Sequence, residues 1–227
     1  EHVEERELQV MIALDLSGSM GFGSGTREKR ETAVEFGAAM AMAAARNQDR
    51  VGVCLFTDEV EKTVPAAKGR THILRLIREL LYFVPQHRKT NLKPVISYLN
   101  HALKHRSVVF LVTDDLQVGS EEKDLKILAA RHDLIVVLVR DSREMVIPDV
   151  GMIELEDPET GMECLFDTGN RSQVEAFLEK ARQQRQRAEL LCRRLGVDHI
   201  QLTAGEPVVP PICRLFAERA HRLSQGR

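Results

Sequence analysis

Two aspartates and three hydroxyls in this chain stand where they could hold a hard cation. Asp15, Ser17 and Ser19 form an Asp-x-Ser-x-Ser run directly after a short apolar segment, residues 8–14. Asp114 follows another apolar segment, residues 108–112, within Thr113-Asp114-Asp115. Thr90 lies in Lys89-Thr90-Asn91, just ahead of a helical pattern. Carboxylates and hydroxyls are hard oxygen donors suited to Mg²⁺, which takes six oxygens at roughly 2.0–2.1 Å and retains waters. Two aspartates balance the charge of one divalent ion, and neutral hydroxyls fill further positions without adding charge. Such a cation stays electrophilic and leaves a water-filled position open to an anionic oxygen from another molecule. Mn²⁺ and Ca²⁺ are alternative occupants.

These groups can converge only if the elements before them end together. Four segments are short, apolar and rich in β-branched residues: 8–14, 51–56, 108–112 and 134–139. None alternates cleanly, which marks parallel strands covered on both faces. Helical patterns occupy 27–46, 71–83, 92–103, 121–130, 173–195 and 211–223. In the second of these, Ile73, Leu74, Ile77, Leu80 and Leu81 form an i, i+3, i+4, i+7 stripe. Alternating strands and helices predict an α/β fold: a doubly wound, mostly parallel central sheet flanked by helices. Residues 152–155 and 162–166 flank a turn-rich stretch and predict an inserted β-hairpin. In open sheets of this kind ligands bind at the carboxyl ends of the strands. Asp15 and Asp114 fall there.

With Thr90 downstream and Asp114 at a strand end, the Asp15–Ser17–Ser19 signature resembles the von Willebrand factor A (vWA) domain and its metal-ion-dependent adhesion site (MIDAS). The resemblance implies that the Ser and Thr hydroxyls bind the metal directly and the aspartates directly or through water. It further implies that a Glu or Asp from a partner protein fills the sixth position. Carried over by position, Asp15, Ser17, Ser19, Thr90 and Asp114 take these roles. A bare Asp-x-Ser-x-Ser would arise by chance in roughly one chain of this length in twenty, so the matching places of Thr90 and Asp114 give the signature its weight.

Further stretches are similar to one bacterial subgroup that bears a domain-of-unknown-function label. They include Lys29-Arg30-Glu31, Asp49-Arg50-Val51-Gly52, Lys68-Gly69-Arg70, Arg131-His132-Asp133 and residues 156–161 (EDPETG). Members of that subgroup are encoded beside MoxR-type AAA+ ATPases and have a segment ahead of the A domain. The resemblance thus implies a single vWA-like domain over residues 1–227, with an N-terminal segment of the parent protein missing. It implies a protein-binding module rather than an enzyme, acting with a MoxR-type AAA+ ATPase in assembly or maturation of protein complexes. The expected location is cytoplasmic, or at a membrane through that N-terminal segment. The alternatives are a metal-dependent hydrolase acting on phosphate esters, and a scaffold with a vestigial metal site.

Bulk composition narrows the field. Of 227 residues, 43% are hydrophobic and 29% charged, as in an ordinary globular protein. The net charge of −2 gives no bulk attraction to nucleic acid or anionic membrane. No apolar run reaches the roughly 18 residues needed to span a bilayer. The four cysteines show no CxxC spacing, and Cys54 reads as a small core residue. Gly21, Gly23 and Gly25 lie between strand and helix, yet Asp15 to Ser19 intervene where a dinucleotide fingerprint needs its first glycine. They read as a rim of the site. His101 and His105 stand four apart without a third ligand, and read as a solvated helix face. Arg182, Arg185, Arg187, Arg193 and Arg194 are interspersed with Glu179 and Glu189, a salt-bridged surface. No nucleophile-elbow spacing surrounds Ser17 or Ser19.

Overall fold

The computed structural model describes residues 8–23, 27–116, 119, 122–144 and 146–225. In chain order the main elements are β1 (Gln9–Asp15), α1 (Lys29–Arg46), β2 (Arg50–Phe56), β3 (Val60–Ala67), α2 (Arg70–Tyr82), α3 (Leu92–Ala102), β4 (Val108–Thr113), α4 (Glu122–Arg131), β5 (Asp133–Arg140), β6 (Met152–Glu156), β7 (Glu163–Asp167), α5 (Arg171–Leu195), β8 (Asp198–Thr203) and α6 (Val209–Gln225). The central sheet has the order β3-β2-β1-β4-β5-β8. Its strands are parallel except β3, which pairs antiparallel with β2 on the edge. The doubly wound, mostly parallel sheet is therefore as the sequence predicts, and the hairpin β6–β7 forms a separate two-stranded ribbon.

Two strands are additional to the expected four. β3 includes Pro65, which cannot donate to a ladder and is tolerated at a sheet edge. β8, of sequence DHIQLT, closes the opposite edge and is only partly covered. Both lack the continuous apolar run that marks a strand buried on two faces.

The central strands divide their side chains between two cores. Val10, Ile12 and Leu14 of β1 face one cluster with residues of α1, α2 and α6, while Met11 and Ala13 face the other with α3, α4 and α5. This period-two division covers both faces of the sheet and explains the unbroken apolar strands. On α2 the observed core residues are Ile73, Leu76 and Leu80, whereas Leu74 and Leu81 are exposed. The predicted stripe is corrected here: at about 100° per residue, Leu74 and Leu81 fall beside the ridge that meets the core. Cys54 is fully buried, and burial pushes its thiol up to about 12, so it serves packing. Among the described residues no helix is long and apolar enough to cross a membrane.

His132, just after α4, is buried, and among the described residues neither ring nitrogen has a hydrogen-bond partner. Burial first, then the Arg131 and Arg106 guanidinium groups, hold it below the ordinary value of 6.5. The folded chain thus favours neutral His132, while the unfolded chain takes up a proton near pH 6.5. Its contribution is fully present above that pH and is lost as pH falls toward the depressed folded value. Urea melts at pH 7.5 and pH 5 are expected to show this loss, and His132→Leu to reduce it.

Candidate functional site

Strand order reverses between β1 and β4, with β2 and β3 on one side and β5 and β8 on the other. A crevice at the carboxyl ends opens at such a switch point. Asp15 is the last residue of β1, and Asp114 follows the last residue of β4. The core thus fixes both carboxylates by fixing the two central strands.

Asp15 is completely buried. One oxygen, Oδ1, accepts the Ser17 amide at 2.9 Å, and the other accepts the Thr113 hydroxyl at 2.7 Å. Burial first, and the Asp114 carboxylate second, push its carboxyl up to about 7 against these hydrogen bonds. Ser17 Oγ and Ser19 Oγ lie 3.1 Å apart. Ser17 occupies the N-cap position of a single 3-10 turn, Gly18–Gly21, but its side chain makes no capping bond. Helix capping therefore does not account for this hydroxyl.

Thr90 comes from the loop ahead of α3. That loop is tied to the residue just after β2 by the Asn91 amide donating to the Thr57 carbonyl at 3.2 Å, and to the serine loop by the Gly18 amide donating to the Arg88 carbonyl at 2.7 Å. Asn91 then caps α3, its side chain accepting from the Lys93 amide at 3.0 Å. The Thr90 hydroxyl donates to Glu159 Oε1 at 2.7 Å, from the tip of the β6–β7 hairpin. Asp15, Ser17, Ser19 and Asp114 are thus in one cluster, with Thr90 tethered to its edge.

Two further charged groups, Lys29 and Glu144, join the two aspartates and offset each other, so the net count of two negative charges is unchanged. Lys29, the first residue of α1, is buried and donates to Asp114 Oδ2 at 2.7 Å and to Glu144 Oε1 at 2.6 Å. Burial alone would lower its ammonium; the Asp114 and Glu144 carboxylates outweigh this and hold it above the ordinary lysine value. Arg140, at the end of β5, donates to the Asp114 carbonyl. Sequence reasoning misses Lys29, Glu144, Thr113 and Glu159. A lysine opening a helix reads as a solvated cap, and only the acid-bearing turn of the hairpin hints at Glu159.

The donors fit a divalent cation. Among the described residues Asp114 Oδ1 is buried without a hydrogen-bond partner, a costly condition unless something satisfies it. Among the described residues no three His, Cys, Asp or Glu side chains form a metal-binding group. Any ion here would thus rely on hydroxyls and water as well as carboxylates, as a hard ion does. Asp115 stays outside the set, its amide donating to Thr113 Oγ1 at 3.3 Å. Of the glycine-rich loop, residues 24–26 lie outside the described residues. His101 engages the Ser97 carbonyl at 2.7 Å, whereas His105 follows the end of α3, so the two do not share one helix. The arginine surface on α5 is salt-bridged, with Arg182 to Glu179 at 3.7 Å and Arg193 to Glu189 at 4.0 Å.

Sheet order, switch-point placement and an acidic, hydroxyl-rich crevice define a doubly wound α/β domain of the kind the vWA resemblance implies. The chain belongs to the DUF58 family, described as a protein of unknown function, whose match spans residues 1–187. It is 29% identical over 162 residues to uncharacterized protein Rv1480 of Mycobacterium tuberculosis, covering 70% of this chain and 51% of that one. The chain thus spans about half the length of that relative. In fold it is similar to conserved hypothetical protein BatB from Bacteroides thetaiotaomicron, with a TM-score of 0.59 at 13% identity over 94% of this chain and 99% of that one. An aerotolerance-related membrane protein from Bacteroides fragilis matches with a TM-score of 0.53 at 15% identity, over 83% of this chain and 98% of that one.

Proposed function

We propose that this domain is a protein-binding module that holds Mg²⁺ at Asp15, Ser17, Ser19, Thr90 and Asp114 and uses it to capture a carboxylate of a partner protein. The observation that carries this reading is the unpartnered Asp114 Oδ1, buried beside Asp15 at the switch point. Lys29 holds only the other oxygen of Asp114. Bound there, the ion would supply an electrophilic position for an incoming anionic oxygen. The partner that the sequence resemblance implies is a MoxR-type AAA+ ATPase, and the role is assembly or maturation of protein complexes. Binding rather than turnover is the proposed activity. The proposed place of action is the cytoplasm or the cytoplasmic side of a membrane.

Mg²⁺ is expected to raise the melting temperature of the wild type and to leave Asp15→Ala unchanged. A ligand that binds only the native state stabilises it by about 2.7 kcal/mol at one hundred times Kd. Capture of the cognate ATPase should be lost in EDTA and in Asp15→Ala. Capture that survives both would overturn the reading.

A further inference from the structure

The chain's net charge is only −2, yet its charges are unevenly spread. Residues 152–167, the β6–β7 ribbon with its turn, carry six acids and no basic residue. Three of these acids are engaged. Asp157 accepts the Glu159 and Thr160 amides at 2.9 and 3.3 Å, Glu159 accepts the Thr90 hydroxyl at 2.7 Å, and Asp167 accepts the Gly169 amide at 2.9 Å. The other three are Glu154, Glu156 and Glu163. Their side chains make no hydrogen bond or ion pair among the described residues.

Register gathers these three on one surface. Cross-strand partners point to the same side of a ribbon, and neighbours along a strand to opposite sides. The pairs Met152–Asp167, Glu154–Leu165 and Glu156–Glu163 therefore share a face, while Ile153–Phe166 and Leu155–Cys164 share the other. The second face leans on α5 through Phe166 and Phe177, whose ring centroids are 5.7 Å apart. The first is open, with Met152 61% exposed and Leu165 72%. It sets two glutamates directly opposite each other, a destabilising arrangement, beside two large apolar side chains in water. A cationic surface with apolar groups of its own would relieve both conditions.

The outer side of α2 is such a surface. Arg70, Leu74, Arg78 and Leu81 follow one another at helical spacing, and all four are exposed. Among the described residues the side chains of Arg70 and Arg78 make no hydrogen bond or ion pair. The single acid of α2, Glu79, is turned to Lys62 at 4.0 Å. Beside this row, α1 and α2 enclose a groove of about 360 Å³ lined by Met42, Ala45, Arg70, Ile73, Leu74 and Ile77. Among the described residues no ion pair joins the ribbon to α2 within one chain.

We propose that these two faces are the halves of one self-association interface, in which the ribbon of one copy docks on α2 and the α1–α2 groove of a second copy. Met152 and Leu165 meet the apolar groove, and Glu154, Glu156 and Glu163 meet Arg70 and Arg78. The two halves differ, so the contact is heterologous and runs head to tail. Each end of a dimer keeps one free face, and assembly continues until the rotation closes a ring. An anionic lipid surface would meet the arginines but would leave the groove unfilled and repel the ribbon, so a second copy fits both faces better. Neither face includes Asp15, Ser17, Ser19 or Asp114, and the association needs no bound cation.

The test is sedimentation velocity of the intact chain over a concentration series in EDTA, at about 0.02 M and about 0.5 M salt. The wild type should form species larger than the monomer at low salt and return toward the monomer at high salt, where surface charges are screened. Two variants reverse one face each: Glu156→Lys with Glu163→Lys, and Arg70→Glu with Arg78→Glu. Each should weaken association at least about tenfold, because like charges then face each other. All four positions are exposed, so neither variant removes core packing. Mixing the two variants should restore association, since the reversed ribbon of one meets the reversed helix of the other. A wild type that stays monomeric at low salt, variants that associate as the wild type does, or a mixture that stays monomeric would each overturn the pairing. A wild type that is monomeric alone yet binds phosphatidylglycerol vesicles through Arg70 and Arg78 would assign the helix face to a lipid surface, and would overturn it too.

Discussion

Replacing Lys29 by methionine is expected to destabilise the domain by about 3–5 kcal/mol, the scale for removing one partner of a buried ion pair. The Lys29 side chain is 4% exposed, and that of Asp114 8%. Methionine fills much the same volume but leaves a buried carboxylate without its cation. The cost is the stranded charge rather than the lost attraction. Adding Asp114→Asn to Lys29→Met should therefore restore part of the stability. A double variant no more stable than Lys29→Met alone would show that the cost lies in packing. Because the ammonium is held above its ordinary value, its contribution is complete below that value and is lost only as pH rises through the raised one. Urea melts between pH 7 and 8 should thus show a constant difference between wild type and Lys29→Met.

Phe110→Ala should cost a comparable amount, about 3–5 kcal/mol, from lost burial and the cavity left behind. Phe110 lies on β4 and Phe36 on α1; both are buried, and their rings meet edge to face with centroids 5.4 Å apart. This pair pins α1 against the strand that delivers Asp114, and α1 begins at Lys29. The denaturation midpoint should fall with an unchanged slope, since both variants unfold to the same extent. Once Phe110 is removed, Phe36→Ala should cost less than it does alone, because the aromatic pair is already broken. Strict additivity would show that the rings pack independently.

What sequence reveals here follows burial. β1, β2, β4 and β5 are legible because both faces are covered and every side chain must be apolar. β3 and β8 are not, because edge strands may carry Pro65 or alternate with polar residues such as His199 and Gln201. Asp15 and Asp114 are legible as candidates because strand ends can be read from the apolar runs that precede them. Lys29 and Glu159 lie outside that logic. Lys29 is 85 residues from Asp114, and Glu159 is 69 from Thr90. Tertiary packing alone brings each pair together, and neither residue type differs from its solvated counterparts elsewhere in the chain.

The ribbon's separation from the main sheet also divides the molecule into a conservative and a variable part. Asp15, Asp114 and the serine loop hang from strands whose every neighbour is core, so changes there disturb folding. The 157–161 turn, by contrast, is supported by its own hydrogen bonds and by the Phe166–Phe177 contact with α5, at 5.7 Å between ring centroids. Substitutions in that turn can be sampled while the sheet stays intact. Libraries randomised at positions 158–160, selected against chosen carboxylate-bearing peptides, would therefore explore recognition at little cost to foldability.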